Sequence, residues 1–511
     1  MISKQDEEVG NPAQGTTEKS LSVGLNDTDS SRSVSDAQVD VVGGWRGFVS
    51  KVISFGRVET RGIAPIPFEE RTVTKTVNIF TLWWCMNANM LPITFGMLGP
   101  SYGLGLRDSS LVILFFTLLT STLPAYLSTL GPKTGMRQMI QARFSFGRYL
   151  VAVPVLLNLA TLTGFCVIIV VIGGQCLSAV GNGHLSPAVG IVIVAVLSLI
   201  ISFCGFNVLH IYERFAWIPA IISIVIATGC GGSHLKEQAP LEAPATAPAV
   251  LSFGMIVASY MLPWACLASD FTTYLDPKTS ANRIFWYSFA GLSIPTILLM
   301  VLGAAIAGAV SSVPSWEAGY DENLVGGVMG AMLGPAHGFG KFVTVILSFT
   351  LLGNIAATSY SITLNFQILI PILKKVPRYV FAVILTAIII PVGIKAASSF
   401  FDSLNNFIAL IGYWSAAFLA ILLVEHLWFR KGDCASYAPE AWDTAALLPP
   451  GIAALSACVL SFGLVIPSME QIWWVGPIAE KTGDIGFELA FVVSALLYVP
   501  FRMLEKRLAG R

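Results

Sequence analysis

Charge is what this chain has little of. Asp, Glu, Lys and Arg make up 12% of its 511 residues, about half the roughly 25% share of an ordinary soluble domain. Hydrophobic residues reach 55%, and mean hydropathy is +0.73. The charges also cluster, leaving stretches that match the roughly 20 apolar residues of a bilayer-crossing helix. Length alone suggests several soluble domains, but this composition overrides it. Other absences narrow the chemistry. The eight cysteines show no C-x-x-C spacing, and most lie in apolar runs, where cysteine serves as a small hydrophobe. The five histidines are scattered, with no H-E-x-x-H. No G-x-x-x-x-G-K-S/T loop is present to drive transport with ATP. No nucleophile–base pair or metal cluster falls within the apolar segments, so neither an enzyme nor a metal or organic cofactor is expected. The formal net charge of zero points to no particular partner, and nothing suggests nucleic acid.

Residues 1–44 are rich in Ser, Asp, Gly and Thr, with three Lys/Arg against eight Asp/Glu. That composition predicts a disordered tail. It lacks the n- and h-regions of a cleavable signal peptide, so the first membrane helix is expected to act as the signal. Residues 45–56, WRGFVSKVISFG, read either as a short surface helix or as a plain linker. Twelve apolar segments follow, near 78–101, 108–130, 151–179, 187–208, 214–231, 250–267, 284–311, 342–368, 378–394, 403–427, 446–466 and 486–502. With the N-terminus inside, the inner loops collect most of the basic residues, including Arg57, Arg61, Arg71, Lys75, Lys133, Arg137, Arg143 and Arg148. The outer loops hold few, among them Arg107, Lys236, Lys395 and Lys481. This bias predicts both termini in the cytosol. The expected organisation is a cytosolic tail over 1–74, a transmembrane domain over 75–502 and a short cytosolic C-terminus over 503–511. Residues 231–249 and 311–341 read as outer surface loops with no evident chemistry.

Polar side chains inside such segments are costly and tend to mark a path for substrate or ions. The first segment carries WWCMNANMLP, with Asn87 and Asn89 just before Pro92. The third carries Asn158 and Gln175, and the sixth carries Pro263, Trp264, Ser269 and Asp270. The eighth, TLLGNIAATSYSITLNFQ, carries Asn354, Thr358, Ser359, Ser361, Asn365 and Gln367. Proline removes a backbone donor, and lipid cannot satisfy the groups that a broken helix exposes. Segments one and six both pair a break signal with an aromatic and with Asn or Ser. They are five apart, as in an inverted five-plus-five repeat whose broken helices form a midplane site. The plainer reading is that Pro263 only kinks the helix and Trp264 only packs. Asp270 reads as an interface or gate residue, or else as a buried proton carrier.

Several stretches together carry a resemblance. RGIAPIPFEERT (61–72), GPKTGMRQMIQARFSFGRY (131–149), HIYERFAWIP (210–219), WACLASDFTTY (264–274) and the Asn354…Tyr360-Ser361…Gln367 pattern resemble the fungal purine-cytosine permeases of nucleobase–cation symporter family 1. The resemblance implies an all-α LeuT-like fold, secondary active uptake and, in this branch, proton coupling. In the family a tryptophan of helix six stacks on a planar heterocycle, and Trp264 matches it, with Pro263 where glycine is usual. A flat aromatic supplies contact area without demanding a hydrogen-bond pattern. Asn354 matches the helix-eight asparagine, whose carboxamide offers donor and acceptor to a base edge. Asn87 falls near a position where serine is common.

The departures bear on specificity. On helix three the family has a tryptophan and, one turn on, an asparagine or glutamine; here Phe165 and Ile169 stand there. Thr358 replaces a second helix-eight asparagine. A site lacking those polar groups cannot select for them, so the expected pocket is more apolar, lined by Trp264, Asn354, Phe165, Asn87, Thr358 and Ile169. Sodium-coupled relatives place two hydroxyl residues where Leu352 and Gly353 stand. A hard cation wants oxygen ligands, so protons are expected as coupling ion, with Asp270, Gln175 or Asn89 as weaker candidates for gating or coupling. The expectation is a plasma-membrane importer of a small planar nitrogen heterocycle, a nucleobase first. Pyridoxine or a specialised metabolite is the alternative, and a transporter-like receptor signalling through the tail is a further one.

Overall fold

The computed structural model describes residues 62–181, 183–203, 215–241, 243–370, 372–373, 376 and 378–510. The tail over 1–61, including the stretch 45–56, lies outside the described residues. Each of the twelve apolar segments is helical over most of its described residues. The first is two helices, α1 (Val77–Asn87) and α2 (Met90–Gly96). Then come α3 (Leu106–Ser128), α4 (Ala152–Val180), α5 (Pro187–Phe203), α6 (Trp217–Gly231) and α7 (Ala247–Ala265). The second set runs α8 (Ala281–Val310), α9 (Pro314–Met332), α10 (His337–Thr350), α11 (Leu352–Leu369), α12 (Arg378–Ala397), α13 (Phe400–Val424), α14 (Ile452–Val465) and α15 (Gly486–Ala509). A two-residue strand pair, β1 (Glu470–Gln471) and β2 (Trp474–Val475), joins the last two helices.

Among the described residues, eight helices are long and apolar enough to cross a membrane. Aliphatic side chains such as Leu156, Leu298, Ile384 and Leu496 are exposed along them. In water such faces would be a liability; in a bilayer they meet hydrocarbon. The chain is therefore an all-α, multi-pass membrane protein. Two correspondences mark an inverted repeat. Spans one and six each contain a residue of non-helical geometry, Asn89 and Leu267, whereas Leu351 between α10 and α11 keeps helical dihedrals. A helical excursion also separates the second from the third member of each set: Leu130–Leu150 near the terminal segments and α9 on the opposite face. The stretch 311–341 is thus no plain surface loop, because Trp316 packs α9 into the bundle with 1% exposure. Residues 62–74 are likewise ordered rather than part of a loose tail. Ile63 and Ile66 are buried, Ile66 N–H donates to Gly135 O, and Arg71 donates to Ile66 O and Pro132 O. The last helix also runs on past the expected boundary at 502, to Ala509.

Close approach of backbones fixes the broken span against its neighbour. A Cβ on Gly96 would lie 1.9 Å from Met300 O of α8, and one on Gly303 would lie 2.0 Å from Ile93 O. Only glycine at both positions lets α2 and α8 meet backbone to backbone, the small-residue packing common where lipid supplies no hydrophobic drive.

Candidate substrate site

The break in the first span is built by asparagine rather than by proline. Helix α1 ends at Asn87, Ala88 leaves helical geometry, and Asn89 is extended at φ −153°, ψ −172°. The Asn89 Oδ1 accepts from Leu91 N–H at 2.9 Å, capping α2, while its Nδ2 donates to Met86 O at 2.8 Å. One carboxamide thus satisfies an orphan donor on one half-helix and an orphan acceptor on the other. Pro92 falls in the first turn of α2, where its missing N–H is not required. In span six, α7 runs through Pro263 and stops at Ala265. Leu267 is non-helical (φ −137°, ψ 7°), and a single 3-10 turn covers Ala268–Phe271. The interruption is thus real, although it follows Trp264 rather than coinciding with Pro263.

The two breaks converge with α11. Asn354 is buried and its Nδ2 donates to the same Met86 carbonyl at 2.8 Å, while its Oδ1 accepts the Thr358 hydroxyl at 3.3 Å. Asn87 is fully buried: its Nδ2 donates to Trp83 O at 2.9 Å, and its Oδ1 accepts from Tyr260 of α7 at 2.9 Å. Asn87, Asn354 and Thr358 therefore do sit at the meeting point of the broken spans. Part of their hydrogen-bonding capacity, however, is spent on holding it together. Beside them the half-buried Trp264 meets Trp83 edge to face, centroids 5.7 Å apart at 80°. Trp83 in turn meets Phe271 at 5.6 Å, and Phe271 meets Tyr360 at 6.4 Å. Trp83 and Tyr260 were not among the expected site residues. Their spacing of four residues from Asn87 and Trp264 respectively, one helical turn, was the available signal.

The remaining candidates separate. Phe165 lies beside Phe407 of α13, with centroids at 6.1 Å and 76°, and Ile169 is fully buried one turn along α4. Gln175 stands about 15 Å further along the helix axis than Phe165, next to Gly326 of α9. Its amide is buried with neither atom hydrogen-bonded. That places it apart from the broken spans. Asn89 is a cap that builds the break. Asp270 lies where the 3-10 turn meets the Leu130–Leu150 excursion: its carboxylate accepts Gln138 N–H at 2.8 Å, and its carbonyl accepts from the Arg137 guanidinium. Arg137 also lies 5.5 Å from the ring centroids of both Tyr274 and Tyr360. Ser269 and Thr272 donate to Leu127 O and Ser128 O, each at 2.8 Å. This junction ties the 3-10 turn of span six to the Leu130–Leu150 excursion and to the end of α3. Arg143 and Arg148 add ion pairs to Asp443, and burial lowers the pKa of Arg143 against the pull of that carboxylate.

Comparisons with known proteins agree with this geometry. Residues 65–438 match the family described as permeases for cytosine/purines, uracil, thiamine and allantoin. The chain is 34% identical over 475 residues to the purine-cytosine permease FCY21 of Saccharomyces cerevisiae, covering 91% of this chain and 90% of that one. It is also 34% identical over 460 residues to the purine-cytosine permease fcyB of Emericella nidulans, with 89% and 90% covered. The vitamin B6 transporter TPN1 of Saccharomyces cerevisiae is 27% identical over 556 residues, covering 98% and 95%. Among solved structures, Mhp1, a nucleobase–cation-symport-1 family transporter with bromovinylhydantoin bound, superposes with a TM-score of 0.64 at 16% identity, covering 87% of this chain and 95% of that one. At that identity the likeness concerns the fold, which is the LeuT-like fold with its broken first and sixth helices. This chain belongs to the family of cytosine and purine permeases, and is a multi-pass membrane transporter rather than an enzyme.

Proposed function

We propose that this permease imports a small planar nitrogen heterocycle, a purine or pyrimidine base, by proton symport across the plasma membrane, with both termini in the cytosol. The observation that carries the reading is the convergence of the two interrupted spans on Trp264 and Asn354. The half-buried indole offers a flat face for a ring. The Asn354 carboxamide, anchored through one of its two N–H donors, keeps the other donor and a further oxygen lone pair for a base edge. Asn87 and Thr358 hold these groups in place, while Phe165 and Ile169 make the α4 side apolar. Leu352 and Gly353 open α11 without a side-chain oxygen, which favours protons over sodium. Rocking of one bundle against the other would open the site alternately, with the Asp270–Gln138 junction parting on the cytosolic side. A second reading, import of a vitamin B6 form, is supported by the similarity to TPN1 and by the loss of polar groups at Phe165 and Ile169. Trp264→Ala tests the assignment: protein at the cell surface with uptake lost is the expected result, and unchanged uptake affinity refutes the stacking role.

A further inference from the structure

A cavity of about 280 Å3 lies where α7 and α13 meet the β1–β2 pair. Met255 and Ile256 of α7, Tyr102, and Glu470 and Gln471 of β1 are among the residues lining it. Ile256 is eight residues before Trp264 on the same helix, so the cavity stands about 12 Å along the axis from the central indole. A chain of hydrogen bonds orients its polar groups. Tyr413 donates its hydroxyl proton to Asp484 Oδ2, which leaves the phenol oxygen to accept from Gln471 Nε2 at 2.9 Å. The other Nε2 hydrogen goes to Glu470 O at 3.0 Å. Both amide donors are thereby committed, and the amide orientation is set by its partners. Gln471 is 3% exposed, yet its Oε1 has no hydrogen-bond partner. A buried acceptor left unpaired is costly unless something fills it. Near it, at the exposed rim, the Glu470 carboxylate is fixed by the Ser252 hydroxyl at 2.6 Å.

The cavity thus presents two fixed acceptors, the Gln471 amide oxygen and the Glu470 carboxylate, beside the Asn405 carboxamide, whose Oδ1 accepts from Tyr102 at 2.7 Å, while Met255 and Ile256 offer apolar contact. A volume of about 280 Å3 is far larger than a bare ion needs and is close to the lower end of small-molecule sites. We infer that this cavity is an outer binding site for a planar nitrogen heterocycle presenting N–H donors, held there before it reaches Trp264. The inference rests on the proposed function, since it takes the transported ring as its ligand.

The test is equilibrium binding of labelled cytosine and adenine to the purified full chain in nanodiscs, together with uptake by cells. Trp264→Ala is expected to keep one bound base per chain, and Trp264→Ala combined with Gln471→Met to bind none. Gln471→Met alone should raise the uptake KM about tenfold, the equivalent of one lost hydrogen bond, with kcat unchanged. Glu470→Gln, which keeps an acceptor for Ser252, should move KM in the same direction by less. A wild-type chain that binds base while Trp264→Ala binds none overturns the outer site and leaves the proposed function standing. So does a double variant that binds as well as Trp264→Ala. A wild-type chain that neither binds nor imports any base overturns the proposed function, and the outer site with it.

Discussion

The Met86 carbonyl offers a quantitative test of how the central break is held. It is freed by the end of α1 and accepts from two carboxamides, Asn89 Nδ2 and Asn354 Nδ2, each at 2.8 Å. In Asn354→Ala the carbonyl keeps Asn89, so the loss should be that of one ordinary buried hydrogen bond, about 1 kcal/mol. In Asn89→Ala it keeps Asn354, but Leu91 N–H loses its cap, adding about 1 kcal/mol. In the double variant the buried carbonyl has neither donor and bears its full desolvation penalty, about 1–3 kcal/mol. The two changes should therefore be superadditive by about 1–2 kcal/mol. Unfolding of the purified, ligand-free protein reads the cycle directly. Additivity within about 0.5 kcal/mol, the behaviour of independent sites, would refute the shared-acceptor argument.

Three further perturbations probe other parts of the account. Gly303→Val puts side-chain atoms where a Cβ already comes within 2.0 Å of Ile93 O; overpacking of about 1–3 kcal/mol or more should show as a lost surface signal of a fluorescent fusion, and normal yield would contradict the backbone contact. Glu425 pairs with Arg430 at 3.1 Å and Arg502 at 3.2 Å and accepts from Tyr498 at 2.8 Å. Glu425→Ala should cost about 3 kcal/mol or more in unfolding free energy by uncovering buried positive charge, and a change below about 0.5 kcal/mol would discount that network. In the loop before α15, burial pushes Asp484 up to about 6 against three hydrogen-bond donors and with Glu470 adding repulsion. The folded state thus holds this proton more tightly than the unfolded chain, so the stability linked to Asp484 is full below about pH 4 and is lost, roughly 3 kcal/mol in all, as pH rises through 6. Asp484→Asn should flatten that slope, and an unchanged slope would assign it to other groups.

The general architecture was legible because the bilayer imposes it: twelve apolar segments and a one-sided distribution of basic residues leave few alternatives. The broken first and sixth spans were legible for the same reason, yet their causes were not. Proline marked the neighbourhood, but Asn89 makes the first break, and the second falls at Leu267, beyond Pro263. Local sequence gives a breaker's position, whereas which carbonyl finds which donor depends on α11 lying beside α1. The same dependence explains why Asn354 and Asn87, expected as site residues, turn out to brace the backbone. Trp83 and Tyr260 escaped notice because an apolar helix supplies many aromatics, and only the packing of α1 on α7 singles these out. The outer cavity had no signature at all. Its acceptors come from β1, the Gln471 amide being oriented by Tyr413 and the Glu470 carboxylate by Ser252, both far from them in sequence.

The central claim is tested most directly by competition uptake in a yeast strain lacking its own nucleobase and pyridoxine permeases. Labelled cytosine, adenine, hypoxanthine and pyridoxine would be offered at pH 5 and pH 7.5, with and without an uncoupler, to cells carrying the wild-type chain or Trp264→Ala. The account predicts uptake of a base that is stronger at acid pH, abolished by the uncoupler and absent in Trp264→Ala at equal surface expression. Uptake of a base that is insensitive to pH and uncoupler, or surface-expressed protein that moves none of the four rings, would contradict it.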